Sequence, residues 1–309
     1  MAKCVVVRSA GNTVMNRVRS WFFRVRIRSL LIAAMVALLL EPDFTETVAD
    51  EPPPAVTPKI SIRVVPHSAW GAAVVDVEKV LASAAEPLLP YFVGRSVPPI
   101  VVEPQGGPIV LYERGPKGEF QVRLDTGGRR WAQHAFQFAH ELGHILCQYN
   151  ASPNRNRWFE ESMCETASLF VLRRMADRWE TDPPYPHWKG YAPALRSYAE
   201  ERLTTARLAD GVTLAAWYSQ HAATLERNPV DRDKNLVVAA ALLPFLEKQP
   251  EHWSAVAHLN VARPRGKQAF GEYLQEWHDR CPAEQRPLVV HVGRMLGVEI
   301  RSTNDSGNR

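Results

Sequence analysis

His140-Glu141-Leu142-Gly143-His144 is the stretch on which the reading of this 309-residue chain turns. The two histidines are four residues apart, so on a helix their imidazoles lie on one face, one turn apart. A single tetrahedral zinc ion can take a nitrogen from each. Glu141 is offset by one position, which sets it beside the metal. There it can take a proton from an attacking water and return it to a leaving amine. Phe136, Phe138, Ala139, Leu142, Ile145 and Leu146 are apolar, so a helix over 130–149 is expected to be buried. Two His and a Glu on such a helix are costly unless satisfied, and metal coordination satisfies them.

Two histidines leave a catalytic zinc one protein ligand short. The next polar cluster is Arg157-Trp158-Phe159-Glu160-Glu161-Ser162-Met163-Cys164-Glu165. A turn-rich loop from Asn150 to Asn156 lets a second helix, predicted over 158–180, return antiparallel to the first. Glu161 then comes level with the histidines as third ligand. Glu165, one turn on, reaches His140 and accepts its other N–H, fixing the ring's tautomer. Glu160 competes with Glu161 for the ligand position. Only Glu161 has a carboxylate at i+4 on its own face, which favours it.

Taken together, these residues resemble the gluzincin branch of the zincin metallopeptidases, in which a Glu on the following helix completes the site. Trp158-x-x-Glu161-Ser162 is similar to the Trp-x-x-Glu-Gly around that ligand, with Ser162 in place of Gly, and Glu161-x-x-x-Glu165 is similar to Glu-x-x-x-Asp. The resemblance covers roughly 100–170. It implies Zn2+, Glu141 as general base, and a sheet-plus-helices fold whose edge strand pairs with substrate. The metzincin pattern fails, because Cys147 and Asn150 stand where it needs Gly and His. Gluzincins add a Tyr or His that stabilises the developing oxyanion. Tyr191, Tyr218, His221 and Arg232 are all conceivable here, and no motif ranks them.

Outward from this centre, the chain reads as α+β. Ile60 to Val65 alternates like a half-buried strand, 72–88 has helical spacing, and 99–103 is a second strand. Strands at 109–113 and 119–125 flank Gly115-Pro116-Lys117-Gly118 as a hairpin, and either could pair with an extended peptide. Helices are expected over 190–205, 213–227, 231–248, 267–279 and 284–296, with Thr213 as an N-cap and Pro244 kinking or shortening its helix. Residues 60–300 thus form a metallopeptidase-like domain: a zincin-like α/β lobe over 60–149, then a helical lobe over 150–300. Residues 301–309 read as a disordered tail.

Asp125-Thr126-Gly127 occurs once, whereas an aspartic protease needs two such carboxylates. Residues 125–128 are therefore expected to form the turn and N-cap region of the metal-binding helix. Counting along antiparallel helices separates Cys147 from Cys164 by around 10 Å, too far for a disulfide.

Charge locates the N-terminal device. Of 37 basic side chains, seven lie in residues 1–28 with no acid among them, and three of the 33 acids lie in 41–49. Thirty of each sign remain beyond residue 49, so the net charge of +4 belongs to the leader and gives no reason to expect nucleic-acid binding. The leader's apolar run, Leu30 to Leu40, is shorter than the roughly 20 residues of a membrane span. Residues 1–49 therefore read as a signal peptide or N-terminal anchor, followed by a Pro-rich linker over 50–59. The expected protein is exported, periplasmic or secreted, and touches membrane only through that segment if it is retained. Its expected partner is a peptide or protein substrate. The rival readings are a zinc hydrolase of a non-peptide amide in the cell envelope and a non-catalytic zincin-fold binding module.

Overall fold

Strict alternation builds the sheet. In the computed structural model, which describes residues 58–301, β1 (Ile62–Val64), β2 (Ile100–Pro104), β3 (Ile109–Val110) and β4 (Phe120–Leu124) form one four-stranded sheet. Ile100, Val102, Phe120, Val122 and Leu124 are buried, and the residues between them are half-exposed. One face is thus covered and the other meets solvent. The strand order is β1-β2-β4-β3, with β1, β2 and β4 parallel and β3 antiparallel to β4. The crossover from β1 to β2 carries α1 (Val74–Ala85), as a parallel pair requires.

The expected hairpin is present with a much shorter first strand, since β3 ends at Val110. β4 has a neighbour on each side, so its main chain is fully engaged, and of the two strands only β3 has a free edge.

Beyond the sheet the chain is helical: α2 (Trp131–Leu146), α3 (Arg157–Trp179), α4 (Ala192–Thr205), α5 (Leu214–Arg227), α6 (Arg232–Lys248), α7 (Phe270–Arg280) and α8 (Arg286–Leu296). The architecture is α+β, a small sheet followed by helices. Thr213 caps α5 by accepting from the Ala216 N–H at 3.2 Å. α6 runs through Pro244 to Lys248, so the proline does not shorten it. A 3-10 stretch at Pro250–His258 was not anticipated. Residues 125–127 are irregular and the turn falls at 128–129, and the N-cap position of α2 is Arg130, without a side-chain cap. The Gln137 side chain instead binds both the N–H and the C=O of Asp125.

The core runs through α2 and α3, where Phe138, Leu142, Trp158, Phe159 and Phe170 are almost fully buried. Among the described residues no helix is long and apolar enough to cross a membrane. The expected leader over 1–49, most of the linker and the tail past Arg301 lie outside the described residues.

Candidate metal centre

Three contacts establish how α2 and α3 meet. His144 touches Glu160, His140 touches Glu165, and the Ser168 hydroxyl donates to the Phe136 carbonyl. Positions descend on α2 as they rise on α3, so the helices are antiparallel. Their close approach depends on Gly143. A Cβ there would stand 3.0 Å from the Cys164 Sγ and 3.1 Å from the Cys164 Cα.

The approach brings three ligand atoms together. Glu161 Oε2 lies 3.1 Å from His140 Nε2 and 3.6 Å from His144 Nε2. One donor atom from each of the three residues falls within 4.8 Å of the others, so the group could hold a metal ion. The remaining ring nitrogens are engaged from behind. His140 Nδ1 faces Glu165 Oε2 at 3.5 Å, and His144 Nδ1 bonds Glu160 Oε1 at 2.6 Å. A carboxylate at Nδ1 holds the proton there and turns the Nε2 lone pair toward a metal. Two imidazoles, each backed this way, and a carboxylate suit one ion with open coordination positions.

Glu160, the competing ligand by sequence, therefore has a different place: it sits behind His144. Its other oxygen accepts from Asn260 Nδ2 at 2.8 Å, and Asn260 in turn accepts from the Tyr273 hydroxyl at 2.9 Å. Glu165 is fastened similarly, with Arg202 of α4 3.7 Å from its second oxygen. Sequence reasoning missed Asn260, Tyr273 and Arg202, which lie on distant segments and carry no motif.

Electrostatics follow from burial and pairing. Burial alone would lower His140, but hydrogen bonds to Glu161 and Glu165 outweigh it and raise its pKa to about 9. His144 also lies well above the ordinary histidine value, because Glu160 and Glu161 outweigh burial in the same way. Burial would raise Glu161, yet its two histidine partners hold it well below the usual carboxylate range. Glu141 goes the other way. It is 3 % exposed, and burial pushes its carboxyl up against the lowering influence of His140 and His144. A buried carboxyl raised above the ordinary carboxylate value is suited to taking and returning a proton.

These groups line a cleft of about 320 Å³ together with Ile109, Val110 and Tyr112. Leu111 donates to the Gln121 carbonyl, so by antiparallel alternation the N–H and C=O of Val110 point away from β4. The Val110 backbone hydrogen-bonds Glu141, on the cleft side. Of the four unranked oxyanion candidates, only Arg232, at the start of α6, lines this cleft. Tyr191 accepts from the Ala132 N–H, Tyr218 packs on Trp158 and Phe270, and His221 packs on Trp217.

Cys147 and Cys164 are free and buried, without a disulfide. Burial and the neighbouring Cys147 thiol nevertheless raise the pKa of Cys164, so the two lie nearer than axial counting implies. Counting along the axes misses the tight crossing at Gly143, which brings Cys164 against α2. No family model matches this sequence, and no curated protein or solved structure matches it.

Proposed function

We propose that this protein is an exported zinc-dependent hydrolase, a metallopeptidase of gluzincin type in a zincin-like fold. The observation that carries the reading is the convergence of His140 Nε2, His144 Nε2 and Glu161 Oε2, each histidine backed at Nδ1 by its own carboxylate. Zinc bound there would supply Lewis acidity, polarising a carbonyl and lowering the pKa of water.

The chain's own groups do the rest. Glu165 and Glu160 keep both imidazoles in the ligating tautomer. Glu141 accepts the proton of the attacking water and delivers it to the leaving nitrogen, a transfer its buried, raised carboxyl suits. β3, whose outer edge lines the cleft, offers the Val110 carbonyl and, once Glu141 releases it, the Val110 N–H to an extended peptide, and this favours peptide over sugar or ester substrates.

The test is digestion of a peptide library by the purified protein and by Glu141→Gln. General-base catalysis is worth about 10²- to 10⁴-fold, so cleavage should fall by that factor while zinc is retained. Unchanged cleavage in Glu141→Gln sinks the mechanism. Turnover of envelope amides without peptide cleavage would move the substrate class to the non-peptide rival.

A further inference from the structure

A second concavity, of about 470 Å³, lies beside the metal cleft and shares Tyr149 with it as a common wall. It falls within the size range of small-ligand sites. Its lining holds three guanidinium groups, Arg95, Arg114 and Arg263, and no carboxylate. We infer that this pocket is an oxyanion site, built to take a carboxylate or phosphate group next to the metal cleft.

What sets these three apart is that they share one hollow, since Arg157, Arg174 and Arg232 also lack a carboxylate ion pair among the described residues, whereas others are paired. Arg123, Arg155, Arg173, Arg178, Arg196 and Arg265 each meet an Asp or Glu. Arg95, Arg114 and Arg263 have no carboxylate partner among the described residues, though they converge on one hollow. Three like charges gathered without a counter-ion repel one another, and an anion between them removes that cost. Burial lowers the pKa of Arg95 and of Arg114, whereas Asp177 and Glu180 raise that of Arg196. Arg95 is half-buried without a carboxylate partner, whereas Arg114 and Arg263 are exposed and Arg114 rests on the Phe120 ring.

The hollow is also shaped for recognition. The Arg114 guanidinium carbon sits over the Phe120 ring, 3.2 Å from its centroid, which holds the group at the hollow. Phe120 packs on Tyr149, and Tyr149 stacks on Tyr112 in the metal cleft. Ser96 adds a hydroxyl, and the Asn150 amide NH2 is free because only its oxygen is engaged, by the Ser152 N–H. A two-oxygen carboxylate or a tetrahedral phosphate can accept from more than one of these donor types.

The anion has two possible sources: free phosphate, or the terminal carboxylate of a chain whose body occupies the metal cleft. The site itself stands whether or not that cleft hydrolyses peptides. Calorimetric titration of the purified protein with inorganic phosphate, with N-acetyl-dialanine and with its C-terminal amide tests it. Phosphate, the acid or both should bind, and the amide should not. Each of Arg95→Gln and Arg114→Gln should weaken the bound anion by about tenfold with metal content unchanged and the fold intact by circular dichroism. Phosphate alone binding marks a free anion, and acid binding that phosphate displaces marks a chain terminus; both support the site. Binding that survives the arginine changes but vanishes on chelation places the anion at the metal and overturns the inference. So does binding of the amide equal to that of the acid, or the absence of any anion binding.

Discussion

Gly143→Ala tests the crossing on which the whole site depends. The new methyl would stand 3.0, 3.1 and 3.2 Å from the Sγ, Cα and Cβ of Cys164. Carbon atoms pack best at about 3.5–4.0 Å, so the contact is short by roughly half an ångström. The thiol can rotate away, but Cα and Cβ move only if α3 moves. Overpacking of this kind costs about 1–3 kcal/mol. Alanine returns about 1 kcal/mol over glycine in a helix interior, so overpacking wins by up to about 2 kcal/mol. For a domain of this size that is a fall in melting temperature of about 4–8 °C.

The sharper effect is on metal. Glu161 rides on α3 and both histidines on α2, so a half-ångström shift exceeds the tolerance of about 0.2 Å for ligand distances. Zinc affinity, read by competition with a chelating dye, should fall more than tenfold. Gly190→Ala is the control, since no atom lies within 4 Å of its added methyl. A Gly143→Ala protein that melts at or above wild type and holds zinc equally well would refute the α2/α3 geometry.

Two further predictions follow from the groups behind the ligands. In the metal-free protein, His140 has a folded pKa of about 9 against an ordinary value near 6.5, and His144 is raised in the same direction. Their stabilising contribution is therefore complete below about pH 6.5 and is lost as pH rises through about 9. Melting of the chelated protein should fall across that window, where Glu161 stays ionised, and a flat profile would contradict the ion-pair account. Asn260→Leu removes the amide that holds Glu160, which in turn holds His144. Zinc dissociation measured by dye competition should show affinity about 10- to 100-fold lower, and unchanged affinity would deny Asn260 that positioning role.

What could be read in advance was local. His140, Glu141 and His144 depend only on helical periodicity, and Thr213 caps its helix because a cap is set within four consecutive residues. Glu161 and Glu165 were within reach because a short loop forces α3 back along α2. The choice between Glu160 and Glu161 depended on the rotation of α3 about its own axis, and the i+4 spacing to Glu165 resolved it, but it left Glu160 without a role. Asn260 and Tyr273 reach Glu160 from about a hundred residues downstream, and no periodicity marks such a contact. The cysteine spacing failed for a related reason: distance along helix axes says nothing about how closely a glycine lets two helices cross. The parallel order of β1, β2 and β4 is equally non-local, whereas the turn at Gly115 to Gly118 announced the hairpin.

The claim everything else rests on is that His140, His144 and Glu161 together hold one zinc ion. Metal analysis of the purified protein, wild type beside Glu161→Ala, tests it most directly. The account predicts one zinc per chain in the wild type and its loss in the variant, with the fold intact by circular dichroism. A wild-type protein without zinc, or a Glu161→Ala protein that keeps it in full, would contradict the account.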